Sequence, residues 1–143
     1  DHRGMNVEGF NPKLLPGIGP FALDSYSYSI RGTIRGLHGD NSNSKLIQLL
    51  YGAMFFVVID MREDSPTYLN VKTFTTDRLK PTQYLVPEGC VNGHQILGDN
   101  GLFSYKLSSH YAKPEDQIHV KYNDPRFNIE WPISEPILSD RDK

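Results

Sequence analysis

Apolar residues fall in short runs along this chain, and clusters of turn formers separate the runs. The stretches Ser25–Ile30, Gly32–Leu37, Tyr68–Thr75, Thr82–Val86, His94–Leu97, Leu102–Leu107 and Gln117–Tyr122 have the length and residue types of strands. The run from Leu46 to Ile59 is long enough for a helix. Tyr51-Gly52 interrupts it, however, and Val, Ile and Phe crowd its second half. It therefore reads as two strands, Lys45–Leu50 and Ala53–Met61, with a tight connection. Gly39-Asp40-Asn41-Ser42, Glu63-Asp64-Ser65-Pro66, Pro87-Glu88-Gly89 and Gly98-Asp99-Asn100-Gly101 supply turns. Helix signals are scarce; one short helix is expected in Asn11–Leu15 or Asp77–Lys80. The tail from Asn123 to Lys143 is polar and Pro-rich but carries Phe127, Ile129, Trp131, Ile133 and Ile137, so an ordered wrap is expected. Many short strands with regular turns predict an antiparallel sandwich or barrel.

Composition narrows the classes. A length of 143 residues fits one domain, 1–143, with little room for a second. Fifteen Lys and Arg against seventeen Asp and Glu give a net charge of −2, which leaves no electrostatic footprint for nucleic acid or an anionic membrane surface. The longest purely apolar run, Ala53–Ile59, is too short to span a bilayer. The lone cysteine, Cys90, excludes an internal disulfide and a cysteine-based zinc site. A reduced, cytoplasmic setting is expected, with no secretory leader in the polar opening Asp1-His2-Arg3-Gly4.

No pair of the five histidines has the spacing that brings two imidazoles to one metal. His2, His110 and His119 have polar neighbours and read as solvated. His38 ends the run Thr33-Ile34-Arg35-Gly36-Leu37 just before a Gly/Asp/Asn/Ser loop, where a barrel opens and ligands bind. His94 opens a strand after Asn92-Gly93 and is a candidate for the same mouth. For both, a structural histidine held by hydrogen bonds is the rival reading. Lys45 opens an apolar strand, a place where Lys is most often an edge gatekeeper. Period-2 alternation puts Phe103, Tyr105 and Leu107 on one face. If that face is interior, the Tyr105 phenol needs a partner.

In order along the chain, Arg3-Gly4 with Glu8 and Phe10, Arg35-Gly36-Leu37-His38, Lys45-Leu46-Ile47, Asp60-Met61-Arg62 with Ser65-Pro66-Thr67, Pro87-Glu88-Gly89, Tyr105-Lys106, Ile129-Glu130-Trp131-Pro132 and Leu138-Ser139-Asp140-Arg141-Asp142 resemble the dTDP-4-dehydrorhamnose 3,5-epimerase family, cupin-like enzymes acting on nucleotide sugars. The resemblance implies a double-stranded β-helix, or jelly-roll, barrel with short peripheral helices. It also implies a homodimer with exchanged strands, no metal or redox cofactor, and a first strand ahead of the segment that opens this sequence. The implied substrate is a nucleotide-diphosphate 4-keto sugar. Its C3 and C5 protons are acidified by the ketone, and inversion runs through an enolate.

By the same resemblance His38 is the base, Asp142 its carboxylate partner, Lys45 the cation beside the enolate oxygen and Tyr105 the proton donor. Arg3, Glu8, Arg35, Asn92, His94 and Tyr111 are carried over as substrate-binding positions. Strict alternation would put Arg35 and His38 on opposite faces, so both reaching one site requires a bulge or bend near Gly36. Some positions depart from the pattern. Gly39-Asp40 stand where the family has an aromatic residue and Gln. Leu23-Asp24-Ser25-Tyr26 replace Gln-Asp-Asn-His, and Val91-Asn92-Gly93-His94 replace Ala-His-Gly-Phe. These changes imply a different nucleotide sugar, such as a GDP-linked 4-keto-hexose or heptose of a capsule pathway, or reaction at one carbon only. A non-catalytic sugar-nucleotide binding protein and a 3,4-ketoisomerase on the same barrel are the alternatives. The ketoisomerase predicts His38 paired with His94.

Overall fold

The computed structural model describes every residue except Asp1 and Ala112. Nine strands follow in order: β1 (Leu23–Ile30), β2 (Ile34–Asp40), β3 (Lys45–Tyr51), β4 (Ala53–Asp60), β5 (Val71–Asp77), β6 (Gln83–Val86), β7 (Cys90–Ile96), β8 (Asn100–Leu107) and β9 (Gln117–His119). They form two antiparallel sheets, β1-β8-β3-β6 and β5-β4-β7-β2-β9. The expected short helices are a correction. Among the described residues the helical content is one 3-10 turn, Pro114–Asp116. At the first proposed helix the Asn11 carbonyl accepts from the amides of both Leu14 and Leu15, a single turn that does not propagate. At the second the Asp77 carboxylate accepts from the Leu79 amide and its carbonyl from Lys80, a side-chain-capped turn. No helix among the described residues is long and apolar enough to cross a membrane.

The continuous apolar run of β4 has a plain cause, since that strand is buried on both faces. Met54 and Phe56 face the space between the sheets, together with Ile47 and Leu49 of β3, Val86 of β6, Ile96 of β7 and Phe103 of β8. Val57 and Ile59 face the other way, onto Leu37, Val91, Val120 and Phe127. That second cluster is closed by the tail, which is ordered as expected. Trp131 packs edge-on to Phe55 at 5.6 Å between ring centroids and donates its indole N–H to the Tyr122 carbonyl. The fully buried Gln95 side chain donates to the Ile133 carbonyl and accepts from the Ile133 amide. Farther on, Ile137 bridges Thr33 in parallel. These ties lead the chain back across the sheet and bring its last residues to the end of β2.

β1 reverses the usual polarity. Its serines (Ser25, Ser27, Ser29) face inward, while Tyr26, Tyr28 and Ile30 point out and are 76%, 61% and 54% exposed. Strand limits also shift. β7 begins at Cys90, four residues before the expected start, because Cys90–Gly93 pair with Asp60–Val57. β5 begins at Val71 rather than Tyr68, since Tyr68, Leu69 and Asn70 belong to the turn that caps Asp60.

Candidate active site

A cavity of about 460 Å³ opens between the sheets, and it gathers most of the predicted site residues. Arg35 and His38 come from β2, Lys45 from β3, Asn92 and His94 from β7, and Tyr105 from β8. Tyr111 comes from the loop after β8 and Asp142 from the tail. Arg3 and Glu8 are not in this lining. They lie in the exposed N-terminal segment, where Glu8 accepts from Asn11 and the neighbouring Gly9 carbonyl accepts from Gln83 of β6, the edge of the sheet opposite β1.

The joint presence of Arg35 and His38 depends on a break in β2. Its register against β7 shifts between those two residues. Gly36, between them, has φ +126°, and a Cβ there would lie 2.5 Å from Gly93 Cα and 2.7 Å from the Asn92 carbonyl oxygen. Two glycines back to back let the strands approach closely enough for the bulge to form, and the bulge returns His38 to the face that Arg35 already occupies.

His38 Nε2 lies 2.8 Å from Asp142 Oδ1. Oδ1 has no well-aligned hydrogen bond, so the contact sets a carboxylate charge directly beside an imidazole nitrogen. Asp142 is 6% exposed, and its other oxygen accepts from Ser139 Oγ at 2.7 Å. The Ser139 carbonyl in turn accepts from the Asp142 amide at 3.1 Å, closing a turn that fixes the carboxylate. Burial is the main influence on the His38 imidazole and holds its pKa down to about 4. Asp142 opposes this, while Arg141, His119 and Lys45 add to it. The ring is therefore neutral at pH 7, the form a base requires. The ring next to His38 is His119, at 4.8 Å between centroids, not His94.

Lys45 is not a gatekeeper on an edge, because β3 runs between β8 and β6. Its ammonium donates to the His38 carbonyl and to Asn92 Oδ1, both at 2.9 Å, which aims it along the cavity wall. Desolvation lowers its pKa and the Asp40 charge opposes that. Tyr105 shares a hydrogen bond with Tyr111 through the two hydroxyls. Burial first, then that bond, raises its phenol to about 12, so the proton stays on oxygen at neutral pH. Arg35 Nε donates to Ser29 at 2.9 Å. His94 is 2% exposed, packs against Phe103 at 4.2 Å between centroids, and leaves Nε2 without a partner.

Arg141 and Gln117 also line the cavity, and sequence reasoning had passed over both. Arg141 donates to the Gln117 carboxamide and lies 3.1 Å from His119 Nε2. The adjacency of Arg141 to Asp142 was the one available signal. His119, expected to be merely solvated, is exposed but forms one side of this cluster. No group of three His, Cys, Asp or Glu side chains among the described residues could hold a metal ion.

Comparison with known proteins gives this arrangement a family. The family model described as dTDP-4-dehydrorhamnose 3,5-epimerase matches residues 1–143. The chain belongs to that family. A dTDP-4-dehydrorhamnose 3,5-epimerase of Shigella flexneri is 34% identical over 149 residues, covering 99% of this chain and 82% of the relative. The crystal structure of the Bacillus anthracis dTDP-4-dehydrorhamnose 3,5-epimerase with TDP and PPi bound superposes with a TM-score of 0.92 at 37% identity, over 99% of this chain and 85% of that one. A 3'-monoepimerase from Streptomyces bikiniensis in complex with dTDP-quinovose gives 0.90 at 33% identity, over 99% and 75%. The structures this chain resembles thus include one named a 3,5-epimerase and one named a 3'-monoepimerase.

Proposed function

We propose that this chain is a nucleotide-sugar epimerase, an isomerase that inverts C3, C5 or both of a 4-keto sugar through an enolate. The observation that carries the reading is a single cavity holding a neutral imidazole paired with a carboxylate, a half-buried ammonium and a protonated phenol. Asp142 favours the His38 tautomer protonated on Nε2, which leaves the lone pair on Nδ1 to accept a proton from the carbon beside the ketone. As that C–H bond breaks, its electrons move to the keto oxygen. Lys45 then faces a full negative charge that the ground state lacks, the kind of differential interaction that lowers a barrier. Tyr105 returns a proton to carbon from the other side, and a phenol that keeps its proton at pH 7 suits that role. Arg35 and Arg141 give the cavity cationic groups for a diphosphate.

The barrel belongs to the jelly-roll type in this reading, residues 1–143 act as one domain, and the active form is a homodimer. The outward stripe of Tyr26, Tyr28 and Ile30 on edge strand β1 supports a second copy of the chain covering it. Arg3 and Glu8 would then serve the partner's cavity. Sedimentation of wild type against Tyr28→Lys tests the dimer.

The reaction is tested by NMR in D2O with dTDP-, GDP- and CDP-linked 4-keto sugars. Deuterium appears at C3, C5 or both with wild type. His38→Asn loses the exchange, by a factor on the order of 10²–10⁴. Tyr105→Phe slows epimer formation while sparing exchange at one carbon. No exchange with any member of the panel would refute the reading.

A further inference from the structure

The N–H bonds of the Lys45 ammonium are not equally free. One donates to the His38 carbonyl and one to Asn92 Oδ1, both at 2.9 Å. An ammonium has three donors and no acceptor, so one N–H is left for a ligand. The same chemistry orients the Asn92 carboxamide, because only its oxygen can accept from Lys45. Both anchors belong to one rung of the sheet. His38 of β2 and Asn92 of β7 are register partners, the first pair beyond the bulge at Gly36. Lys45 comes from β3, in the other sheet, and all three residues line the cavity. The ammonium therefore bridges the two sheets and is tied to the backbone of the base itself. Without these anchors its four-carbon stem would let the charge wander over many rotamers.

We propose that Asn92 is a positioning residue for Lys45: with the His38 carbonyl, its Oδ1 locks the ammonium between the sheets and reserves the remaining N–H for the keto oxygen as that oxygen gains charge. This rests on the epimerase reading for the identity of the oxygen. It gives Asn92 a role through Lys45 in place of the direct substrate contact that the resemblance implies. A cation fixed before the substrate arrives needs no reorientation as charge develops, so the benefit falls on the transition state. A side chain that gripped the sugar equally throughout the reaction would act on KM instead.

Two readouts test this, and the first needs no substrate. Proton–nitrogen NMR of protein with isotope-labelled lysine shows an ammonium at neutral pH only where hydrogen bonds slow its exchange with water. Wild type is expected to give such a signal, absent from Lys45→Met. Asn92→Ala and Asn92→Leu should each speed its exchange by about tenfold or more; Leu fills the space without an acceptor, which separates a lost hydrogen bond from a void. The second readout is the deuterium-exchange rate with whichever 4-keto sugar wild type accepts. Asn92→Leu should lower kcat by roughly 10- to 100-fold and leave KM within about threefold. Added to Lys45→Met, it should change kcat by less than about threefold, because the group it acts through is gone. No protected signal in wild type, an unchanged signal in both Asn92 variants, a loss confined to KM, or equal losses with and without Lys45 overturns the proposal. A protected signal that Asn92→Leu abolishes, with no exchange on any sugar, would sink the epimerase reading alone.

Discussion

Replacing Gly36 with Ala tests how the active site is assembled. Two penalties are legible in the structure. The first is backbone conformation: φ +126° is open to glycine and strained for any L side chain, at about 1–3 kcal/mol. The second is crowding. The added methyl would sit 2.5 Å from Gly93 Cα and 2.7 Å from the Asn92 carbonyl oxygen, both backbone atoms that no rotamer change can clear. Overpacking of that kind costs about 1–3 kcal/mol. Their sum, about 2–6 kcal/mol, is a large share of the 5–15 kcal/mol that typically holds a domain folded. Urea unfolding reads it directly. A loss of about 4 kcal/mol at an m-value of about 2 kcal/mol per molar lowers the midpoint by about 2 M. Two companions separate the penalties. Gly17→Ala carries positive φ (+81°) with nothing within 4 Å. Gly93→Ala carries crowding against Leu37 Cδ2 at 2.8 Å and the Arg35 carbonyl at 3.0 Å without the unusual φ. Each should cost less than Gly36→Ala. Whatever Gly36→Ala protein folds should also lose epimerase activity beyond its loss of stability, since straightening β2 turns Arg35 and His38 to opposite faces. A Gly36→Ala unfolding free energy equal to wild type within about 0.5 kcal/mol would refute this account of the bulge.

Three further outcomes are expected. The acid limb of kcat/KM should lie near pH 4 rather than at the ordinary histidine value of 6.5, because the base must be neutral and burial already keeps it so; a limb at 6.5 would mean that His38 is solvated or is not the base. Folding stability should fall as pH drops below 6.5, since His38 and His94 take up protons more readily in the unfolded chain; their joint slope is about 3 kcal/mol per pH unit down to about pH 4, and His94→Phe should roughly halve it in a urea series at stepped pH. Asp60→Asn should cost about 3 kcal/mol by the same assay, because the buried carboxylate accepts from the Arg62 guanidinium and amide and from the Ser65 and Thr67 hydroxyls, and a neutral amide cannot accept from all of them.

Much of the strand order was legible because β3, β4 and β8 combine apolar content with clear turn signals. β7 was cut short because Asn92-Gly93 has the composition of a loop. The reason for that glycine is the close approach of Gly36 across the sheet, which no local pattern displays. The two helix candidates failed where side-chain and single-turn hydrogen bonds satisfied the backbone without propagation. Within the site, periodicity put Phe103, Tyr105 and Leu107 on one face, and the structure turns that face to the cavity. The other chemical roles came from resemblance, because Asp142 and His38 are over a hundred residues apart and are brought together by the tail's tertiary ties, among them those to Gln95 and Thr33. Arg141 and His119 were missed because their relation is likewise one of tertiary contact.

The inward serines of β1 lie beside the reaction chamber: Ser25 stands opposite Tyr105 across β1 and β8, Ser27 forms part of the chamber wall, and Ser29 accepts from Arg35. One strand thus trims the chamber's girth with the smallest polar side chains available. Enlarging or shaving the middle of that trio would resize the room offered to a sugar without disturbing any group that handles a proton. Divergence toward bulkier or slimmer substrates therefore has an inexpensive route along β1.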